Sequence, residues 1–198
     1  MENDDFNAGA KWFHWLIALF ILILLPLGWT MGGFSPPQKG QAVAFHKALG
    51  ITVLTLAVLR LFWRVSFGVP ELPAGTQQWE QIGAKLGHFT LYALMLALPF
   101  SGWAMSSAAN KPISLFGLVN VPFLPWFTNL PPDVAKSYAG TLAGVHESLA
   151  FALAFVVTGH ILMALHHAFK KDGIFSRMLP GFLQSEREPE VASLRKRS

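Results

Sequence analysis

The chain has 198 residues, of which 53% are hydrophobic and only 13% are charged. With a mean hydropathy of +0.42, this composition is too apolar for a soluble globule and indicates a membrane protein. The absence of cysteine excludes disulfides, iron–sulfur clusters and thiolate-bound metals, so histidine is the expected ligand of any metal. Phosphate-binding glycine loops, nucleophilic triads and nucleic-acid motifs are also missing from the sequence, and no nucleic acid partner is expected.

Four apolar runs predict four membrane-spanning helices, at about residues 12–31, 46–67, 85–107 and 144–169. Each run has roughly 20 residues or more, which matches a hydrocarbon core of ~30 Å. The segment at 108–142 contains five prolines and is predicted to be a surface loop lying against the membrane. Residues 184–198 are charged and lack periodicity, so we expect a disordered tail. The sequence thus predicts an all-α, integral membrane four-helix bundle formed by residues 1–183.

Positive charge is distributed unevenly between the two sides of the membrane that this topology defines. If both termini are cytoplasmic, eleven lysines and arginines lie inside, namely Lys11, Arg60, Arg64, Lys85, Lys170, Lys171, Arg177, Arg187, Arg195, Lys196 and Arg197. The outer side then carries four, namely Lys39, Lys47, Lys111 and Lys136. Because cytoplasmic loops carry an excess of such residues, we expect a cytoplasmic N-terminus and C-terminus in a bacterial inner membrane.

The fourth apolar run carries four histidines, although ionisable groups inside a membrane are costly and usually functional. His146 and His160 lie fourteen residues apart. This interval returns them to within ~40° of the same helix face and separates them by ~21 Å along the axis. One histidine is therefore expected near each side of the membrane.

Histidines on other helices match these two levels. His46 opens the second helix on the outer side, level with His146, and His14 lies near the inner side of the first helix, level with His160. Iron accepts imidazole nitrogen, and a haem with histidines in both axial positions has no open site for oxygen. The two pairs predict two haems, whose natural role is electron transfer.

The interval of fourteen residues recurs elsewhere. Gly28 follows His14 by fourteen residues, and Gly102 follows the histidine of the third helix by the same interval, which leaves room for a flat macrocycle at the outer level. Arg60 follows His46 by fourteen residues and is expected at the inner level, where it could pair with haem propionates. The alternatives are close helix packing at the glycines and an arginine that extends to the membrane surface.

Three further residues are candidates near the two membrane surfaces. His167 follows His160 by seven residues, ~10 Å nearer the cytoplasm, where an imidazole can donate a hydrogen bond and a proton to a quinone carbonyl. His88 lies at the inner level of the third helix. It is a candidate for the surroundings of the inner haem, for contact with a quinone, or for an alternative axial ligand. Lys47 directly follows His46 and is expected to steer an anionic donor such as superoxide. The alternatives are an interfacial histidine and a solvated lysine.

The chain resembles the bacterial cytochrome b561 family in FHWLIAL, FHKALGITVLTLAVLRLFWR, LGHFTLYALMLALPFSGW, HESLAF and GHILMALHHAFKKDGIFSRMLP. The resemblance extends from Trp12 to Pro180. It implies a four-helix bundle that binds two b haems, with His14, His46, His146 and His160 at the ligand positions. The best understood members resemble a superoxide oxidase that passes electrons to ubiquinone.

These observations predict a dihaem membrane oxidoreductase that carries electrons from superoxide, or another one-electron donor outside, to ubiquinone. A cytochrome b subunit or partner of another dehydrogenase or hydrogenase is the nearest alternative. A histidine-containing transporter or channel is a second alternative, although such a protein does not need histidines paired by level on different helices.

Overall fold

The computed structural model describes residues 6–70 and 76–180. Within these ranges the chain forms four long helices, α1 (Ala8–Thr30), α2 (Gln38–Phe67), α3 (Gln78–Ala108) and α4 (Pro132–Lys170). Between α3 and α4 lies an antiparallel hairpin of β1 (Ile113–Leu115) and β2 (Val119–Val121), with Ser114 opposite Asn120. Single 3-10 turns occupy Met31–Gly33, Pro125–Phe127 and Phe175–Met178. The tail expected at 184–198 lies outside the described residues.

The helix ends follow from local hydrogen bonding. The side chain of Asn7 accepts a hydrogen bond from the backbone N–H of Ala10, 2.9 Å away, and so caps α1. At the start of α3, the Glu80 carboxylate accepts from the backbone N–H of Gln77 and closes a capping box. Gly68 ends α2 at a φ of 73°, which residues with a side chain rarely adopt. These signals are local, so the sequence places each helix independently of the others.

The four helices pack as an antiparallel bundle, with α2 against α1 and α3, and α3 against α4. The first and last helices also meet, because Trp29 of α1 stacks on Phe151 of α4 with ring centres 5.5 Å apart. Its core is a narrow apolar column of Ile17, Ile21, Val53, Ala57, Leu94, Met95 and Leu153. Large apolar side chains cover the outside instead of the core, as expected for a bundle that is surrounded by lipid. All four helices are long and apolar enough to cross a membrane, which confirms the predicted four-span helical bundle.

The helices are longer than the apolar runs that predicted them. The largest difference is at α4, which begins at Pro132 instead of about residue 144 and has 39 residues. At 1.5 Å per residue this length is ~58 Å, well beyond a hydrocarbon core of ~30 Å. The added turns begin with Pro132 and Asp133, which are favourable in the first turn of a helix. Hydropathy missed them because they are polar. Similarly, α2 begins at Gln38 instead of 46, and α3 at Gln78 instead of 85.

The segment predicted as a loop at 108–142 has regular structure. Besides the first turns of α4, it contains the β1–β2 hairpin, which packs on α2 and buries Ile113. The indole N–H of Trp103 donates to the carbonyl of Pro122, and the Ser107 hydroxyl accepts from the backbone N–H of Leu124. These bonds fix the segment to the end of α3. We call this end of the bundle the hairpin end, and the opposite end, where α1 begins and α4 finishes, the terminal end.

Candidate functional site

Two histidines from different helices face each other at the hairpin end. The rings of His46 on α2 and His146 on α4 have centres 6.2 Å apart and planes at 76°. The Nδ1 of His146 lies 3.0 Å from the carbonyl oxygen of Leu98 and 2.9 Å from the hydroxyl of Ser101. A carbonyl only accepts, so Nδ1 of His146 carries the hydrogen and its Nε2 is free to bind a metal.

The opposing ring has an unpaired nitrogen. The Nδ1 of His46 is buried and has no hydrogen-bond partner among the described residues. A buried polar atom without a partner costs about 1–3 kcal/mol, and it calls for a partner such as an ordered water or a bound group. The hairpin-end pair therefore combines one oriented imidazole with one that lacks a protein partner.

Two glycines make room for these rings. A Cβ added to Gly28 would lie 3.1 Å from Cε1 of His46, and one added to Gly102 would lie 3.0 Å from Cε1 of His146. Both distances are shorter than ordinary van der Waals contact, so α1 and α3 approach the imidazoles closely. The predicted glycines are thus at the predicted level, and each one faces a histidine ring.

Three histidines, not two, meet at the terminal end. The ring centre of His160 on α4 lies 6.0 Å from that of His14 on α1 and 5.9 Å from that of His88 on α3. The Nδ1 of His88 lies 2.7 Å from the carbonyl oxygen of Ala84, so that nitrogen also carries its hydrogen and Nε2 stays free. The structure brings His14 and His160 together as predicted, and it places His88 equally close.

The spacing of the pairs suits one metal between two imidazoles. With metal–nitrogen bonds of about 2 Å, and about 1.1 Å from each nitrogen to its ring centre, two axial imidazoles have centres ~6.2 Å apart. The measured separations of 5.9–6.2 Å match this value. Among the described residues, no group of three or more histidine or carboxylate side chains is arranged to hold a bare metal ion. By this spacing, each pair of imidazoles could hold one iron, such as that of a haem, between them.

Arginines lie beside the terminal-end histidines. Arg60 donates from Nε to the hydroxyl of Tyr92 at 3.0 Å and from Nη1 to the carbonyl of Ala10 at 3.1 Å. Arg64 lies one turn further along α2, with its guanidinium carbon 5.5 Å from the centre of the same tyrosine ring. Within the described part of the chain, no carboxylate forms an ion pair with Arg60 or Arg64.

The structure also places the remaining candidates. Lys47 is half-buried, and its ammonium group donates to the carbonyls of Lys111 (3.2 Å) and Pro112 (2.9 Å) just before β1, so it fixes the hairpin. His166 is exposed, whereas His167 is only 9% exposed and its Nδ1 lies 2.7 Å from the carboxylate of Asp172. The sequence reasoning missed Asp172, Ser101 and Tyr92, because none of the three shares the helical interval of the histidines.

Paired imidazoles at two levels of an apolar four-helix bundle are typical of a membrane cytochrome. The chain belongs to the prokaryotic cytochrome b561 family, whose sequence model matches residues 5–181. It is 34% identical over 170 residues to cytochrome b561 homolog 2 of Escherichia coli strain K12, covering 84% of this chain and 87% of that protein. It is 29% identical over 172 residues to the probable superoxide oxidase CybB of Yersinia pestis, covering 84% and 91%. The chain is thus a multi-pass protein of the bacterial inner membrane, in a family that binds haem b and transfers electrons.

Proposed function

We propose that the chain is a dihaem oxidoreductase that takes electrons from superoxide at the hairpin end and passes them to ubiquinone at the terminal end. The observation that carries this proposal is the presence of facing histidines at two levels of one bundle, 6.2 Å apart at one level and 6.0 Å apart at the other. His146 and His160 are fourteen residues apart on α4, so the two sites are ~21 Å apart along the helix axis.

The residues in place assign a role to each pair. His46 and His146 would hold the haem at the hairpin end, and His14 and His160 the haem at the terminal end. When bound, haem would supply reversible one-electron chemistry at each of these histidine pairs. Arg60, near the terminal-end pair, would neutralise a haem propionate by a charge-assisted hydrogen bond. Gly28 and Gly102 let the Cε1 edges of the hairpin-end imidazoles approach α1 and α3 closely.

The direction of transfer rests on the distribution of charge. The start of α1 and the end of α4 lie at the same end of the bundle, because the chain crosses it four times. The excess of lysine and arginine at that end favours a cytoplasmic location for the termini and a periplasmic location for the hairpin. Donor oxidation would then occur outside the cell membrane and acceptor reduction at the cytoplasmic end.

Superoxide is proposed as the donor because it is a one-electron donor, and because one relative carries the name of a probable superoxide oxidase. Two superoxide anions each lose one electron and leave as dioxygen. One ubiquinone takes up those two electrons and two protons and becomes ubiquinol. His167, ~10 Å beyond His160 on α4, would bind a quinone carbonyl at the terminal end, and His88 is the second candidate for that contact.

The test begins with haem content. A dithionite-reduced minus oxidised spectrum, calibrated by a pyridine haemochrome titration, should give two b haems per purified chain. Anaerobic stopped-flow mixing should then reveal haem reduction by superoxide and re-oxidation by ubiquinone-1. A chain without haem would overturn the whole proposal. A chain with two haems that superoxide does not reduce and ubiquinone-1 does not re-oxidise would instead favour an electron-transfer subunit of another dehydrogenase or hydrogenase.

A further inference from the structure

The end of α4 folds back so that a carboxylate meets a buried histidine. Lys171 adopts a left-handed φ of 55° and Gly173 a φ of 86°, which turns the chain under the terminal end of the bundle. Asp172 thereby reaches His167, five residues earlier, with Oδ2 2.7 Å from Nδ1. Its other oxygen accepts a hydrogen bond from the backbone N–H of Ile174 at 3.1 Å. Both carboxylate oxygens are therefore engaged, and the orientation of Asp172 is fixed.

The charge state of this pair follows from its hydrogen bonds. Partial burial acts to raise the pKa of the Asp172 carboxyl, but hydrogen bonds from His167 and the N–H of Ile174 outweigh it and hold that pKa below its usual value. Asp172 is therefore ionised at neutral pH and can only accept. The Nδ1 of His167 must then carry a hydrogen, which leaves Nε2 as the nitrogen that gains and loses a proton.

Other charged groups of the described residues lie around the pair. The ammonium group of Lys170 lies 3.7 Å from Oδ2 of Asp172 and 3.4 Å from Oε1 of Glu80, which begins α3. The ring of His166 lies on the same helix, 5.6 Å from that of His167. One lysine thus bridges two carboxylates, and Asp172 is the one that contacts the imidazole.

We infer that Asp172 is a positioning residue, which holds the Nδ1–H of His167 and so orients the imidazole for Nε2 to deliver protons to a quinone. This inference rests on the proposed function, which supplies the quinone and its two electrons. Each proton transfer breaks the Nε2–H bond of the imidazolium and forms an O–H bond on the reduced quinone. The neutral imidazole then regains a proton from water at the terminal end, and two such transfers complete one quinol.

The test follows re-oxidation of the haems in the purified dihaem protein. Protein that has been reduced anaerobically with stoichiometric dithionite is mixed with ubiquinone-1 between pH 5.5 and 9. Asp172→Asn should slow re-oxidation about tenfold or more at pH 8, as expected when an acid that contributes up to about 10²–10⁴ is misplaced but still present. The deficit should shrink towards pH 6, because bulk protons compensate for the missing carboxylate.

Two other variants separate positioning from a structural role. Asp172→Glu keeps the negative charge and should retain at least about half of the wild-type rate at pH 8. Glu80→Gln is the matched control, since glutamine preserves the capping box of α3 and Glu80 does not contact the imidazole, and its rate should stay within about twofold of wild type. If Asp172→Glu is as slow as Asp172→Asn, the role of Asp172 is structural and the inference is overturned.

The spectrum of each variant must retain both haems before its rate is interpreted. If Asp172→Asn does not retain them, Asp172→Glu decides alone, because the carboxylate that it restores should keep at least about half of the wild-type rate at pH 8, and a rate about tenfold lower overturns the inference. Behaviour of Asp172→Asn equal to wild type at every pH overturns it as well. Failure of the proposed function is distinct, because wild-type haems would then not be re-oxidised by ubiquinone-1 at any pH.

Discussion

The two ends of the bundle hold histidines in the same geometry but in different surroundings. At the hairpin end, His46 and His146 form a single pair, with a glycine against each ring and a carbonyl that orients one of them. At the terminal end, His160 faces two histidines, and arginines lie nearby. A donor such as superoxide gives up an electron without exchanging a proton, so an enclosed pair of histidines at the hairpin end is sufficient for it. A quinone also needs protons, and the polar surroundings of the terminal end are suited to supply them.

The largest expected effect is the loss of one haem at one end. His146→Ala should remove the hairpin-end haem and leave the other, whereas His160→Ala should do the reverse, because each iron loses one of two axial bonds. His46→Ala should behave as His146→Ala does. Haem content and the low-spin spectrum of each purified variant measure this. Retention of both low-spin haems by any of these variants would show that the pairing is wrong.

A second pair of variants asks which histidine opposes His160. We expect His14→Ala to remove the terminal-end haem and His88→Ala to retain it in low-spin form, although the two rings are equally close to His160. The preference for His14 follows from the resemblance and not from the distances. The haem content of the two variants, measured in parallel, decides, and the reverse result would make His88 the ligand.

The glycines at the hairpin end provide a sharper test of close packing. Gly102→Ala places a methyl group 3.0 Å from Cε1 of His146, so it should displace that ring and weaken the hairpin-end haem by about 1–3 kcal/mol. Gly87→Ala on the same helix is the control, because a Cβ there has no heavy atom within 4 Å. Haem release during a thermal melt compares them, and equal stability would remove the steric role of Gly102.

A smaller effect is expected from the arginine at the terminal end. Arg60→Leu should lower the occupancy or the reduction potential of the terminal-end haem more than that of the other, because a propionate would lose its cation. A potentiometric titration of both haems measures this. Since Arg60 also bonds Tyr92 and Ala10, equal shifts in both haems would indicate a general folding defect and contradict a propionate contact.

The smallest effect concerns charge at the hairpin end. Reduction of the haems by superoxide should slow as ionic strength rises, because salt screens attraction between an anion and exposed lysines. Lys47→Glu should slow it further, but that change also removes two hydrogen bonds to the hairpin. Lys111→Glu reverses nearby charge and keeps those bonds, because Lys111 accepts through its backbone carbonyl. Slowing by Lys47→Glu alone would therefore indicate loss of hairpin structure, and a rate indifferent to salt would contradict steering.

The sequence by itself determined the four spans, the two levels of the histidines and the family. Apolar runs of membrane length and a rise of 1.5 Å per residue are properties of single helices, so His146 and His160 could be placed without knowing their neighbours. It underestimated α4 because hydropathy does not register the polar turns that follow Pro132. The sequence does contain a signal for the start of this helix, Pro132 followed by Asp133, but a criterion based on apolar runs does not detect it.

Only the tertiary structure decided which groups meet across helices. Helical period fixes the level and face of a residue on its own helix, but not the rotation of one helix against another. For this reason the sequence could not reveal that His88 lies as near to His160 as His14 does, nor that Ser101 and the Leu98 carbonyl hold His146. The contact of Asp172 with His167 likewise depends on a left-handed turn at Lys171, a residue type that does not by itself signal such a turn.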